Sequence, residues 1–108
     1  MIDKHIAVAE LLANVEKELR GLHLWDSVQP SVEALASTQP FAIDTLNFPQ
    51  WLQFIFVPRL NFMIEQQLPL PNKSSVTAMA GEYFQVLNLN SSLLIKHLQK
   101  IDNLLSGT

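Results

Sequence analysis

From Asp3 to about Leu24, the apolar residues Ile6, Ala9, Leu12, Val15, Leu19 and Leu22 recur at every third or fourth position, the spacing that lines one face of an α-helix. The opposite face carries Lys4, Glu10, Asn14, Lys17 and Glu18, so the stretch predicts an amphipathic helix. Asp3 sits favourably at the positive end of its dipole. Gln29-Pro30 interrupts the pattern, because the residue before a proline is pushed away from helical angles. Ser31 as N-cap then predicts a brief helix from Val32 to about Ser37, stopped by Pro40.

A stronger start signal follows. Asn47 with Gln50 three residues on spells a capping box, and Leu46 and Trp51 stand where a hydrophobic staple forms around it. Pro49 falls in the first turn, where its missing N–H costs little. The predicted helix, about Phe48 to Gln67, contains Trp51, Leu52, Phe54, Ile55, Phe56, Val57, Leu60, Phe62, Met63 and Ile64. A helix apolar on nearly every side is surrounded by other helices or keeps a face for a partner. Pro58 inside it lacks the bond to the Phe54 carbonyl and predicts a bend there.

Leu68 to Ser75 reads as a connector, extended through its alternating prolines and then polar. Thr77 is the expected cap of a further helix containing Tyr83, Phe84 and Leu87. Asn88-Leu89-Asn90-Ser91-Ser92 predicts a break, with Asn90 capping a last helix through Leu94, Leu98, Ile101 and Leu105 that Gly107 ends. No period-two pattern and no internal repeat occurs. The fold class expected is all-α: one domain over residues 1–108, a compact bundle of four main helices plus one short helix, built around Trp51 to Ile64.

Composition narrows the function classes. The 108 residues are 48% apolar and 16% charged, with a net charge of −3 and no cysteine. Disulfides, Cys-based metal centres and thiol nucleophiles are thereby excluded, and a reducing, cytoplasmic setting is expected. The charged N-terminus lacks the layout of a secretory signal. The longest uncharged run in the apolar middle, Thr45 to Pro58, is 14 residues, short of the roughly 20 a membrane-spanning helix needs. Residues 21–58 hold three acids and no Lys or Arg, and no basic run occurs elsewhere, so direct nucleic-acid binding is disfavoured.

Candidate chemistry is sparse. His5, His23 and His97 are isolated from one another, without the spacing that sets two metal ligands on one helical face, so no metal is expected. Gly21, Gly81 and Gly107 are singletons that build no phosphate cradle, and no cofactor is expected. These features predict a protein that is not an enzyme. Asp44 and Arg59 stand out in the apolar middle: they are candidates for a structural ion pair, with Asp44 capping a turn at Thr45 and Leu46. The alternative is that Arg59 holds a partner's carboxylate or phosphate. Six of the nine aromatic residues, Phe41, Phe48, Trp51, Phe54, Phe56 and Phe62, fall within 22 positions. They read either as core or as interface anchors. The interface reading makes Phe41, Trp51, Phe54, Arg59, Pro69, Leu70 and Pro71 a partner-binding surface, for another protein or for a second copy in a homodimer.

Ser37-Thr38-Gln39-Pro40-Phe41-Ala42-Ile43-Asp44-Thr45-Leu46, continued by Phe48, Gln50-Trp51-Leu52-Gln53, Ile55-Phe56-Val57-Pro58-Arg59 and Leu68-Pro69-Leu70-Pro71, resembles the YqcC-like domain family. The resemblance implies a small all-helical bundle, similar to the bromodomain-like four-helix arrangement, with no established activity. It also implies bacterial proteins often encoded beside a tRNA pseudouridine synthase of the TruC type, hence a second functional reading: an accessory factor in tRNA modification that binds the synthase or tRNA.

Overall fold

Helix α1 (Lys4–Gly21) starts where the sequence says it should: the Asp3 carboxylate accepts the His5 amide at 2.9 Å. The computed structural model describes residues 3–87 and 90–107. The buried face of α1 is Val8, Leu12, Val15 and Leu19, while Ile6 is 59% exposed. Three successive steps of three residues drift around a helix of 3.6 residues per turn, whereas the 4-3-4 steps from Val8 stay on one side. The expected face is thus correct from Leu12 onward and displaced before it.

Two helices place a residue other than glycine at the left-handed position beyond their C-cap. At the end of α1, His23 takes a left-handed φ of 61°, its amide donates to the Arg20 carbonyl at 3.1 Å, and that of Leu24 donates to the Leu19 carbonyl at 2.8 Å. This is the Schellman pattern. Helix α2 (Val32–Leu35) is a single turn capped by Ser31, whose hydroxyl accepts the Ala34 amide at 3.1 Å. The turn ends at Leu35, short of the expected Ser37 and ahead of Pro40, which instead opens a 3₁₀ turn, Pro40–Ala42, in which Phe41 and Ala42 have φ of 57° and 50°.

The central helical stretch runs as α3 (Phe48–Trp51), a π turn (Leu52–Phe56) and α4 (Val57–Glu65). The capping box is complete: the Asn47 side chain accepts the Gln50 amide and the Gln50 side chain accepts the Asn47 amide, each at 2.9 Å. In place of a simple bend centred on Pro58, the extra residue of the π turn lies just ahead of it, and the Val57 amide reaches five residues back to the Leu52 carbonyl. The wider turn suits a proline that has no N–H to donate and whose ring presses on the preceding turn. At its far end α4 repeats the Schellman pattern, with Gln67 at φ 55° and the Leu68 amide donating to the Met63 carbonyl at 2.8 Å.

After the connector come α5 (Val76–Leu87) and α6 (Ser92–Ser106). Thr77 is not the cap of α5; it lies inside the helix, and the capping group comes from Asp102 on α6. The N-cap of α6 is Ser91 rather than Asn90, which instead accepts from the Ser92 hydroxyl at 3.1 Å. Asn88 and Leu89, part of the predicted break, lie outside the described residues. Gly107, at φ 78°, closes α6 as expected.

The architecture is an all-α bundle with no strand among the described residues. Helix α1 packs most extensively on α6, and also on α4; α5 lies against α6 and α3. The core joins Val8, Leu12, Val15 and Leu19 to Leu52, Leu60, Phe84, Leu94, Leu98 and Ile101. A radius of gyration of 13.6 Å is close to the ~13 Å expected for a domain of about 100 residues. No described helix is long and apolar enough to cross a membrane.

Candidate functional site

The aromatic residues resolve into a ladder rather than an exposed stripe. Phe41 meets Trp51 edge-on at 4.8 Å between ring centroids, Trp51 stacks on Phe48 at 6.0 Å, and Phe48 meets Phe84 edge-on at 6.1 Å. Phe48, Phe56 and Phe84 are buried, while Phe41, Trp51 and Phe54 are half-buried. The ladder runs from the core to the surface, and Trp51 is its outer rung beside Phe41. The core reading therefore holds for Phe48 and Phe56, while Phe41, Trp51 and Phe54 keep part of their surface open and Phe62 is 51% exposed.

The π turn explains why Trp51 and Phe56 act together. Their centroids lie 5.2 Å apart. Residues five apart diverge by about 140° around an α-helix, but in a turn closed by i→i+5 bonds they lie on nearly the same side. These two rings form one wall of a cleft of about 240 Å³, with Leu60, Val76 and Leu105 completing the apolar lining. Arg59, Pro71, Lys73, Ser74 and Ser75 supply its remaining boundary. Arg59 is exposed, and neither Arg59 nor Lys73 has a hydrogen bond or ion pair with any described residue.

The far rim is held from below by a buried carboxylate. Asp102, 6% exposed, accepts the Val76 amide at 3.1 Å, the Thr77 amide at 2.9 Å and the Thr77 hydroxyl at 2.6 Å, and it also accepts the Ser74 hydroxyl. It is the N-terminal cap of α5 delivered across the bundle, and its charge complements that helix's dipole. Ser106 adds a second tie, its hydroxyl accepting the Ser74 amide at 3.2 Å. The rim from Ser74 to Thr77 is thereby pinned to α6.

Of the partner-binding candidates, Trp51, Arg59 and Pro71 are brought together at the cleft. Phe41 adjoins it through Trp51. Phe54, Pro69 and Leu70 are not among the residues lining it, and Pro69 is exposed. The proposed Asp44–Arg59 pair does not form: among the described residues Asp44 instead accepts the Ser37 hydroxyl at 2.5 Å, which closes the loop around the 3₁₀ turn. A local hydroxyl seven residues away satisfies the carboxylate, and Arg59 projects from the other end of the π turn into solvent.

Two polar residues of structural weight escaped the sequence reading. Asp102 follows Ile101 on α6, with no partner within its own stretch of sequence to mark its role. Gln53, within the apolar run, is 7% exposed; its side chain accepts the Asp26 amide and donates to the Asp26 carbonyl, both at 2.8 Å. A buried amide in an uncharged segment was the available signal, since such a group must find partners. A second, wider depression of about 510 Å³ is lined by Asp3, His5, Ile6, Ile64 and Gln67, with the His5 Nε2 donating to the Leu68 carbonyl at 2.7 Å. No cluster of three potential metal ligands occurs among the described residues.

Fold and cleft together define a class: a small all-α bundle carrying an apolar cleft rimmed by cations. Its helical arrangement is similar to the solution structure of protein YqcC from Escherichia coli, with a TM-score of 0.84 and 28% identity over 97% of this chain and 90% of that one. The chain belongs to the DUF446 family, which carries the description tRNA pseudouridine synthase C and matches residues 7–104. It is 34% identical to an uncharacterized protein of Haemophilus influenzae over 77% of this chain and 78% of that one. It is also 39% identical to a tRNA pseudouridine synthase C of Pectobacterium carotovorum over 64 residues, which are 59% of this chain but 17% of that protein.

Proposed function

We propose that this chain is a non-enzymatic protein-interaction module, that it docks through the cleft beside the π turn, and that the partner it serves is a tRNA pseudouridine synthase of the C type. The observation that carries the docking role is the cleft itself. An apolar wall ending in a half-buried tryptophan stands beside an unpaired arginine, and Trp and Arg are enriched among the residues that dominate binding energy at interfaces. The choice of partner is supported by the Pectobacterium synthase, in which a segment similar to this chain shares a polypeptide with the rest of the protein. Covalent linkage holds two domains at effective concentrations around the millimolar range. Wherever such a module meets the enzyme without that linkage, docking needs a surface with affinity of its own.

Most of that synthase lies beyond the stretch matched here, so the pseudouridylation chemistry is assigned to the partner and not to this chain. A direct grip on tRNA is the weaker reading. The net charge is −3 and only two cations gather at the cleft, whereas binding along a phosphate backbone uses a broad basic surface. The module works in the cytoplasm on this reading, beside the enzyme it assists.

Titration calorimetry of the purified chain with a C-type synthase from the same organism tests the proposal. A saturable complex that Arg59→Glu weakens by about tenfold or more supports it. Absence of any complex at about 50 μM of each protein in low salt overturns the choice of partner. A gel shift of tRNA by this chain alone, steeply weakened by salt, would replace it with the RNA reading.

A further inference from the structure

We propose that the occupant of the cleft is an acidic peptide segment of the partner protein in which one large apolar side chain is flanked by aspartate or glutamate. This rests on the interaction-module reading above and supplies the chemistry that the reading leaves open. Size comes first. The cleft's volume of about 240 Å³ lies below the ~300–1,000 Å³ typical of small-molecule sites. That volume suits one bulky side chain. Trp51, Phe56, Leu60, Val76 and Leu105 offer that side chain an apolar surround.

Charge comes second. The ionisable residues lining the cleft are Arg59 and Lys73, both positive. In a chain with ten acids and seven bases, this is a local reversal of sign. Asp102, the carboxylate bonded to the rim at Ser74, is already occupied by the Ser74 and Thr77 hydroxyls and two α5 amides, so it does not neutralise the rim by pairing. Two cations unpaired among the described residues, both bordering an apolar hole, complement an apolar anchor with carboxylates beside it. The guanidinium of Arg59 can grip one carboxylate with two parallel hydrogen bonds, and Lys73 can meet another as a point charge.

Rigidity comes third. The π turn and the ring ladder hold Trp51 and Phe56, and Asp102 and Ser106 hold the opposite rim. A preformed site loses little conformational entropy when it is filled. Because both cations lie at the edge, they act mainly on association rate and selectivity, which makes binding sensitive to salt. An RNA strand would also be drawn to two cations and could stack a base on Trp51, but tracking a phosphate backbone takes a longer run of positive charge than Arg59 and Lys73 supply.

The probe is a short peptide, blocked at both ends, with a single Phe flanked on each side by two Glu in a Gly/Ser frame. Its companions replace the Phe by Ala, every Glu by Gln, or every Glu by Lys. Binding is read from ¹⁵N–¹H correlation spectra of the whole chain. The acidic peptide is expected to shift the Trp51 indole N–H and the amides of Lys73 to Thr77 saturably. Affinity should fall by about tenfold or more on loss of the Phe, and likewise in an Arg59→Glu/Lys73→Glu chain whose circular dichroism is unchanged. It should also fall between about 50 and about 500 mM salt. The proposal is overturned if no shifts occur at about 1 mM peptide, if the Gln peptide binds equally well, or if the shifts map elsewhere. It is likewise overturned if a U-rich oligonucleotide binds the same residues more tightly, or if light scattering finds a dimer and its dilution to monomer shifts these same amides. A synthase that binds while the peptides do not would sink this inference alone. Peptides that bind while the synthase does not would sink only the choice of partner.

Discussion

Replacing Asp102 by alanine should damage this fold more than any other single change to a charged residue. The carboxylate is 6% exposed and receives two backbone amides and two hydroxyls, from Ser74, Val76 and Thr77. Loss of an N-cap costs typically about 1 kcal/mol. The Val76 amide, on a residue 5% exposed, would then stand unpaired and dry, which costs a further ~1–3 kcal/mol. The hydroxyls can turn to water, and removing the charge also removes its desolvation penalty, so the terms do not simply add. A net loss of about 3 kcal/mol is expected, a large part of the ~5–15 kcal/mol that stabilises a domain of this kind. Urea unfolding followed by circular dichroism at 222 nm should show the midpoint falling by about 1.5–2 M at an unchanged slope of about 1.5–2 kcal/mol/M. Asp102→Asn keeps one oxygen to accept the amides and should lose about half as much. A loss below about 1 kcal/mol for Asp102→Ala would show that α5 does not depend on this cap.

Two further changes probe the rest of the frame. Gln53→Ala strands both backbone groups of Asp26 and leaves a cavity beside the π turn, so a destabilisation of about 2–3 kcal/mol is expected in the same urea assay, against no more than about 0.5 kcal/mol for an exposed position such as Gln99. Gln67→Gly, at the left-handed position after α4, should raise stability by about 0.5–1 kcal/mol; a loss there would mean that the φ of 55° is not costly to a side chain in this turn.

The chain's own order of residues determined its helices and most of their ends. Asp3, Ser31, the Asn47–Gln50 box, Pro49 and Gly107 act through bonds spanning only a few residues, and the apolar steps along α6 mark a face that any partner helix would bury. Signals of this kind are complete within a short window of sequence, which is why they could be read directly. The resemblance carried by residues 37–71 led likewise to the family that the comparisons show.

Only the tertiary structure decided which polar groups are buried and bonded, and where the cleft forms. Asp102 caps a helix that begins 26 residues earlier, and Gln53 completes the hydrogen bonds of a loop residue 27 positions away. Neither pairing leaves a local trace, because the partner is chosen by which helices pack together. The same holds for the cleft. Trp51 and Phe56 share a wall because one extra residue enters the turn before Pro58, and Arg59 and Lys73 border the same cleft because Val76 of α5 and Leu105 of α6 complete its lining. Periodicity assigns a residue to a face of its own helix; it does not say which other element that face will meet. In this protein the helices follow from local chemistry, and the site exists only where three of them converge.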